Sequence, residues 1–129
     1  MNKWIILKFG GTSVSSMESY KTIHKVVRER LAEGLKPMVV CSALSGVSDQ
    51  LARVVRLASD GDYLSLLDQI ISEHLGFSQS LEVNTSSDLI EQEIEELKKL
   101  CSGISSLGEA SFSARARVMA LGEMMSTRI

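Results

Sequence analysis

Cysteine is scarce in this 129-residue chain: Cys41 and Cys101 are its two thiols. They stand far apart in apolar surroundings, with no Cys-x-x-Cys pair and no histidine pair nearby. That pattern argues against a disulfide framework and against a zinc site of ordinary ligand spacing, and both residues are expected as buried thiols. Long apolar runs are missing too. Nothing approaches the roughly 18 consecutive apolar residues of a spanning helix, so no membrane contact is expected. The N-terminus has no arginine-rich region, long apolar segment or small-residue cleavage site, which leaves a cytoplasmic location as the default expectation. A net charge of -2 gives no electrostatic case for a nucleic-acid partner. The Gly-x-x-x-x-Gly-Lys-Ser/Thr and Gly-x-Gly-x-x-Gly patterns are both absent. Neither His24 nor His74 has a nucleophile-elbow serine to serve, and no ligand cluster supports a metal site. There is no internal repeat, low-complexity tract or linker.

What is present reads as a soluble globular chain, 44% hydrophobic and 23% charged, the size of one domain or part of one. It opens on Trp4-Ile5-Ile6-Leu7, a short apolar run that flows into Lys8-Phe9-Gly10-Gly11-Thr12-Ser13-Val14. Such a run, stopped by glycine, predicts a buried parallel strand with its chemistry at the carboxyl end. Two glycines let backbone N–H groups approach a ligand, and Lys8 supplies a cation that suits phosphate. A strand, a glycine turn and a solvated lysine would satisfy the same short pattern, so the motif alone decides nothing.

Ser15-Ser16-Met17-Glu18 has the Ser-x-x-Glu form of a capping box, predicting a helix that starts there. Met17, Tyr20, His24, Val27 and Leu31 would form its apolar stripe, with His24 packed rather than ligating, and Gly34 would end it. After Pro37, Met38-Val39-Val40-Cys41 predicts a second strand. Strand, helix, strand is a βαβ unit whose right-handed crossover sets both strand ends side by side. The Lys8 to Ser13 loop should then neighbour Ser42-Ala43-Leu44-Ser45-Gly46-Val47-Ser48.

Ser48 is expected to cap a helix over 49–59, stopped by Gly61. Further helices are expected over 63–81, broken by Asn84-Thr85-Ser86-Ser87, then over 88–101 and 110–129. In the helix over 88–101 the glutamates and lysines from Glu91 to Lys99, Glu93 included, read as a solvated face. Gly103 and Gly108 should bracket a loop. Gly122 sits inside a helix, where glycine costs about 1 kcal/mol against alanine. Either something approaches that turn closely or it is a tolerated small residue beside a surface glutamate, Glu123. Two strands are few for so many helices, and the last helix is unfinished at Ile129, so the chain is expected to be the amino-terminal part of a larger domain.

Lys8 to Val14 resembles the opening signature of the aspartokinases, within the amino-acid kinase superfamily. Val39 to Ser48 is similar to that family's second motif, and Leu121-Gly122-Glu123-Met124-Met125-Ser126-Thr127 to its Gly-Glu-x-x-Ser/Thr helix. The order and spacing agree along the whole chain. The resemblance implies an α/β fold, the amino-terminal portion of a three-layer αβα sandwich of carbamate kinase type with a mainly parallel sheet, helix-rich in this segment. It implies transfer of phosphate from MgATP to the side-chain carboxylate of L-aspartate, giving 4-phospho-L-aspartate at the head of lysine, threonine and methionine synthesis. Lys8, Gly10 and Gly11 would hold the transferring phosphoryl group, supported by Thr12 and Ser13. Ser42, Ala43, Ser48 and Glu123 would bind aspartate, Glu123 through the substrate ammonium. Ser48 stands where many members have threonine, with the hydroxyl kept. The ATP-binding portion and the regulatory ACT domains would lie beyond this chain, so the fragment alone should be inactive, binding no ATP or Mg2+ tightly, and the intact protein a homo-oligomer, a dimer. The alternatives are a glutamate or acetylglutamate kinase and a non-catalytic α/β association module.

Overall fold

The computed structural model describes residues 3–81, 88 and 90–129. Two strands, β1 (Trp4–Phe9) and β2 (Lys36–Cys41), pair in parallel, with Trp4 opposite Lys36 and Phe9 opposite Cys41. A 3-10 turn over Gly11–Val14 and helix α1 (Met17–Ala32) connect them. Helices α2 (Val47–Asp60), α3 (Leu64–Ser80), α4 (Glu91–Leu107) and α5 (Phe112–Arg128) follow. The expected break at 84–87 lies outside the described residues. No described helix is long and apolar enough to cross a membrane.

Helix α2 is the hub. Val47, Leu51, Val54, Val55 and Ala58 recur at helical spacing, and each is almost fully buried. They share one core with Leu67 and Ile70 of α3, Leu97, Cys101 and Ile104 of α4, and Val118 and Leu121 of α5. Val14 and Ile23 join it from the β1 side, and half-buried Phe9 and Cys41 pack against it. The helix stops at Gly61, whose φ of +84° only glycine adopts readily and whose N–H reaches the Ala58 carbonyl.

The strands have one covered face and one bare face. Ile5, Leu7, Phe9, Pro37 and Cys41 are half-buried, while Trp4, Ile6, Met38 and Val40 are exposed, as is Val39 on the covered side by a small margin. Strand β1 was expected to be buried, and this is the departure from it: among the described residues the helices cover one side of a two-stranded sheet. The ammonium of Lys36 lies 5.7 Å from the ring centre of its cross-strand partner Trp4 on the bare side.

Local chemistry moves several boundaries. The cap of α1 is Ser16, not Ser15, its Oγ accepting the Ser19 N–H at 3.2 Å, so Glu18 closes no capping box. Ser15 instead donates to the Thr12 carbonyl and finishes the preceding turn. One residue of phase also puts Ile23 in the core and leaves His24 exposed. Helix α2 begins at Val47 behind Gly46, with φ +81° and no side-chain cap, so Ser48 is not the cap. Gly103 lies within α4, which runs on to Gly108. Glu93 is no solvated residue: its carboxylate is 3% exposed and receives the Arg128 Nε–H at 2.6 Å. Both cysteines are free, Cys101 buried with its thiol pushed up to about 11 by desolvation, Cys41 half-buried.

His74 is fully buried in α3, its Nδ1–H donating to the Ile70 carbonyl at 2.7 Å and its Nε2 without a partner among the described residues. Burial depresses its pKa, outweighing the hydrogen bond to Ile70 and the neighbouring Glu73 charge. The unfolded chain therefore takes up this proton first. The stability that neutral His74 contributes is complete above the ordinary histidine value of 6.5 and is lost as pH falls below it. Urea midpoints at pH 7.5 and 5.5 should differ for the parent chain and differ less for His74→Leu; an equal drop in both would assign the acid sensitivity elsewhere.

Candidate active site

The parallel register brings the carboxyl ends of β1 and β2 together, with Phe9 beside Cys41. The Ser42 N–H donates to the Phe9 carbonyl at 3.1 Å, so the second loop leaves its strand still tied to the end of the first. Lys8, the penultimate residue of β1, has an exposed side chain with no ion pair among the described residues. Gly10 is extended, and nothing lies within 4 Å of where its Cβ would be. A Cβ on Gly11 would lie 3.8 Å from the Ser42 hydroxyl, which itself donates to the Ala43 carbonyl. The two loops therefore touch at Gly11 and Ser42. Thr12 and Ser13 belong to the 3-10 turn, closed by the Ser13 N–H to the Gly10 carbonyl at 2.9 Å, and Val14 anchors that turn in the core.

The second loop is fixed from beneath. Ala43 and Leu44 are buried, whereas Ser45, Gly46 and Ser48 face solvent. Because α2 begins behind Gly46, the Ser48 hydroxyl is not consumed as a cap and has no hydrogen-bond partner among the described residues. The sequence had assigned it two tasks, and the backbone leaves it free for the second.

Helix α5 comes in against this loop at Gly122. A Cβ there would stand 3.0 Å from Leu51 Cδ1, 3.1 Å from Ala43 Cβ and 3.3 Å from Val47 Cγ1. Of the two readings of this glycine, close approach is the one the packing supports. Glu123, the next residue, is exposed, and its carboxylate has no partner among the described residues. Gly11, Ser42, Ala43, Gly122 and Glu123 thus form a continuous path across three elements. Lys8 precedes it at the end of β1, Ser48 follows in the first turn of α2, and Thr12 is exposed in the 3-10 turn. Among the described residues the arrangement is an open ledge with an unpaired cation at Lys8, unbonded amides at Gly10 and Gly11, an unbonded hydroxyl at Ser48 and an unpaired carboxylate at Glu123. It suits a ligand that is anionic at one end and cationic at the other.

A cavity of about 550 Å³ beside Glu91, Glu95 and Lys99 and one of about 520 Å³ beside Met17, Tyr20 and His24 lie aside from this ledge, while one of about 420 Å³ is lined by Glu123, Met124, Thr127 and Arg128. Of these three only the last touches a site residue, and the chemistry rather than the volume marks the site. Among the described residues no group of three or more His, Cys, Asp or Glu could hold a metal ion. Sequence reasoning missed Tyr20, whose hydroxyl lies 3.1 Å from Ser126 Oγ, and the Glu93–Arg128 pair. Neither has a local signal, since each joins segments distant in the chain.

Comparison with known proteins agrees along the whole chain. The sequence model of the Amino acid kinase family matches residues 3–129. Aspartokinase 2, chloroplastic, of Arabidopsis thaliana is 30% identical over 129 residues, covering 96% of this chain and 23% of that protein. The aspartokinase of Candida albicans is 32% identical over 134 residues, covering 95% and 24%. Escherichia coli aspartokinase III, solved in complex with aspartate and ADP (R-state), superposes with a TM-score of 0.79 over 98% of this chain and 27% of its own, at 24% identity. The fold is therefore the one seen in that enzyme. The chain spans about a quarter of the length of each of these relatives.

The tightness at Gly122 has a measurable consequence. Gly122→Ala gains up to about 1 kcal/mol of helix propensity and loses about 1–3 kcal/mol to overpacking. It should lower stability in urea unfolding. Gly76→Ala and Gly103→Ala, where nothing lies within 4 Å of the new methyl, should raise it or leave it unchanged. A stabilised Gly122→Ala would mean that α5 does not press on the loop.

Proposed function

Because the chain belongs to the amino acid kinase family, we propose that it is the aspartate-binding, amino-terminal portion of an aspartate kinase catalytic domain. The observation that carries this reading is the continuous path from Gly11 through Ser42 and Ala43 to Gly122, with free charges of opposite sign at Lys8 and Glu123. The reaction is transfer of the terminal phosphoryl group of ATP to the side-chain carboxylate of L-aspartate. An aspartate oxygen bonds to phosphorus as the bond to ADP breaks, leaving an acyl phosphate, 4-phospho-L-aspartate.

In this reading Lys8 offsets the negative charge that meets when a carboxylate approaches a phosphate, which is where positioning and electrostatics carry phosphoryl transfer. The Gly10 and Gly11 amides hold phosphoryl oxygens, with Thr12 and Ser13 shaping their turn. Ser42 and Ala43 line the aspartate pocket, the Ser48 hydroxyl contacts the substrate, and Glu123 pairs with its ammonium. Magnesium arrives with ATP as part of that substrate. The nucleotide-binding part and any regulatory ACT domains belong to polypeptide outside residues 1–129. A homodimeric parent is part of the same proposal, supported by the family resemblance alone, and the cytoplasmic location expected from the N-terminal sequence is proposed with it.

A site with its nucleotide side elsewhere should bind without turning over. L-aspartate titrated into the 15N-labelled chain should move the amide signals of Ser42, Ala43, Ser48 and Glu123, with weaker effects from L-glutamate and N-acetyl-L-glutamate. Stronger effects from either of those would reassign the substrate, and no shift at these residues would sink the reading. A coupled assay of the chain with MgATP and L-aspartate should show no turnover. A rate of about 1–10 s⁻¹, ordinary for an enzyme, would contradict the division of the site.

A further inference from the structure

One residue of the Gly-Glu-x-x-Ser helix stays unused by the proposed chemistry. Ser126 is 2% exposed and faces the interior one helical turn after Gly122. Its Oγ lies 3.1 Å from the Tyr20 hydroxyl, which also donates to the Ser126 carbonyl at 3.3 Å. Tyr20 is the fourth residue of α1, directly behind the turn that carries Gly11 to Val14. Its ring stands edge-on to Phe77 of α3, with centroids 5.0 Å apart at 67°, so the ring cannot swing without unpacking that contact.

We propose that Tyr20 and Ser126 are positioning residues for the ledge: their hydrogen bond joins the helix behind the Lys8 to Ser13 loop to the helix that carries Glu123. Two contacts of different kind then hold the same face of α5. Gly122 sets how close the helix sits to the Ser42 to Ser48 loop, and Ser126 sets where it sits along α1. Steric contact fixes distance but permits sliding, whereas a hydrogen bond between half-buried and buried partners fixes direction. Between them they determine how far the Glu123 carboxylate stands from the glycine amides. Burial raises the Tyr20 pKa, so the hydroxyl keeps its proton and remains able to donate through the neutral range. The proposal rests on the aspartate-kinase reading for its purpose, but not for its geometry.

The test uses the 15N-labelled chain with Tyr20→Phe, which removes one oxygen and keeps the ring against Phe77. Without ligand, Tyr20→Phe should shift the amide signals of Gly122 and Glu123. Tyr63→Phe, whose parent hydroxyl has no partner among the described residues, should not. With L-aspartate, Tyr20→Phe should raise the dissociation constant about three- to tenfold, the scale of one lost hydrogen bond. Ser126→Ala should do less, because the carbonyl acceptor survives, and Ser126→Thr, which keeps the hydroxyl, should restore parent affinity. The double variant should be no worse than Tyr20→Phe alone, since both remove one interaction. Additive losses, or an unmoved Glu123 signal in Tyr20→Phe, would overturn the proposal. If the parent chain ignores L-aspartate, the substrate reading falls while the ligand-free shift at Glu123 still decides whether the two helices are tied.

Discussion

The contact on which this chain depends is the approach of α5 to the loop after β2, where Gly122 leaves room for Leu51, Ala43 and Val47 at 3.0 to 3.3 Å from where a Cβ would stand. A glycine inside a helix weakens it, and here the loss is offset by the packing it permits. Leu51 and Val47 are core residues of α2, so the contact that shapes the ledge also closes the hydrophobic interior. Moving the helix outward would loosen Ala43, and with it the loop that touches Gly11. Site geometry and core packing are therefore not separable here, and single-methyl changes at this point are felt in both.

Among the described residues Lys8, Ser48 and Glu123 have been left without a side-chain partner, although partners were within the means of the fold. Glu96 pairs with Arg117 and Glu93 with Arg128, whereas Lys8 and Glu123 pair with nothing among the described residues. Ser48 has a hydroxyl suited to capping, and Gly46 takes the position instead. Unspent electrostatic capacity of opposite sign, spread over a backbone held by the core, is what a zwitterionic ligand requires.

Much of this was legible because the decisive signals were local. A lysine before two glycines at a strand end, and a glycine inside a helix, mark positions to inspect in the sequence, and the packing at Gly122 then chose close approach over a tolerated small residue. The βαβ order followed from apolar runs, and Gly61 ended its helix as a positive-φ residue should. What could not be read depended on phase or on distance. Ser15 and Ser16 are chemically equal caps, and the choice falls to Ser16 because Val14 is buried and the turn before it must finish first. His24 and Ile23 differ by about 100° around the helix, enough to exchange core for solvent. Glu93 stands in a charged run and is buried only because Arg128 comes back to meet it. Tyr20 finds Ser126 across 106 positions, a relation no window of sequence contains.

The central claim is that Glu123 reads the ammonium of a ligand whose carboxylate end lies toward Lys8 and the glycines. Calorimetric titration of the parent chain and Glu123→Gln with L-aspartate and with succinate, which is aspartate without its ammonium, tests it most directly. The account predicts that Glu123→Gln weakens L-aspartate about tenfold or more, as the loss of a charged hydrogen bond should, and leaves succinate binding unchanged or tighter. Equal losses for both ligands, or none for aspartate, would contradict it.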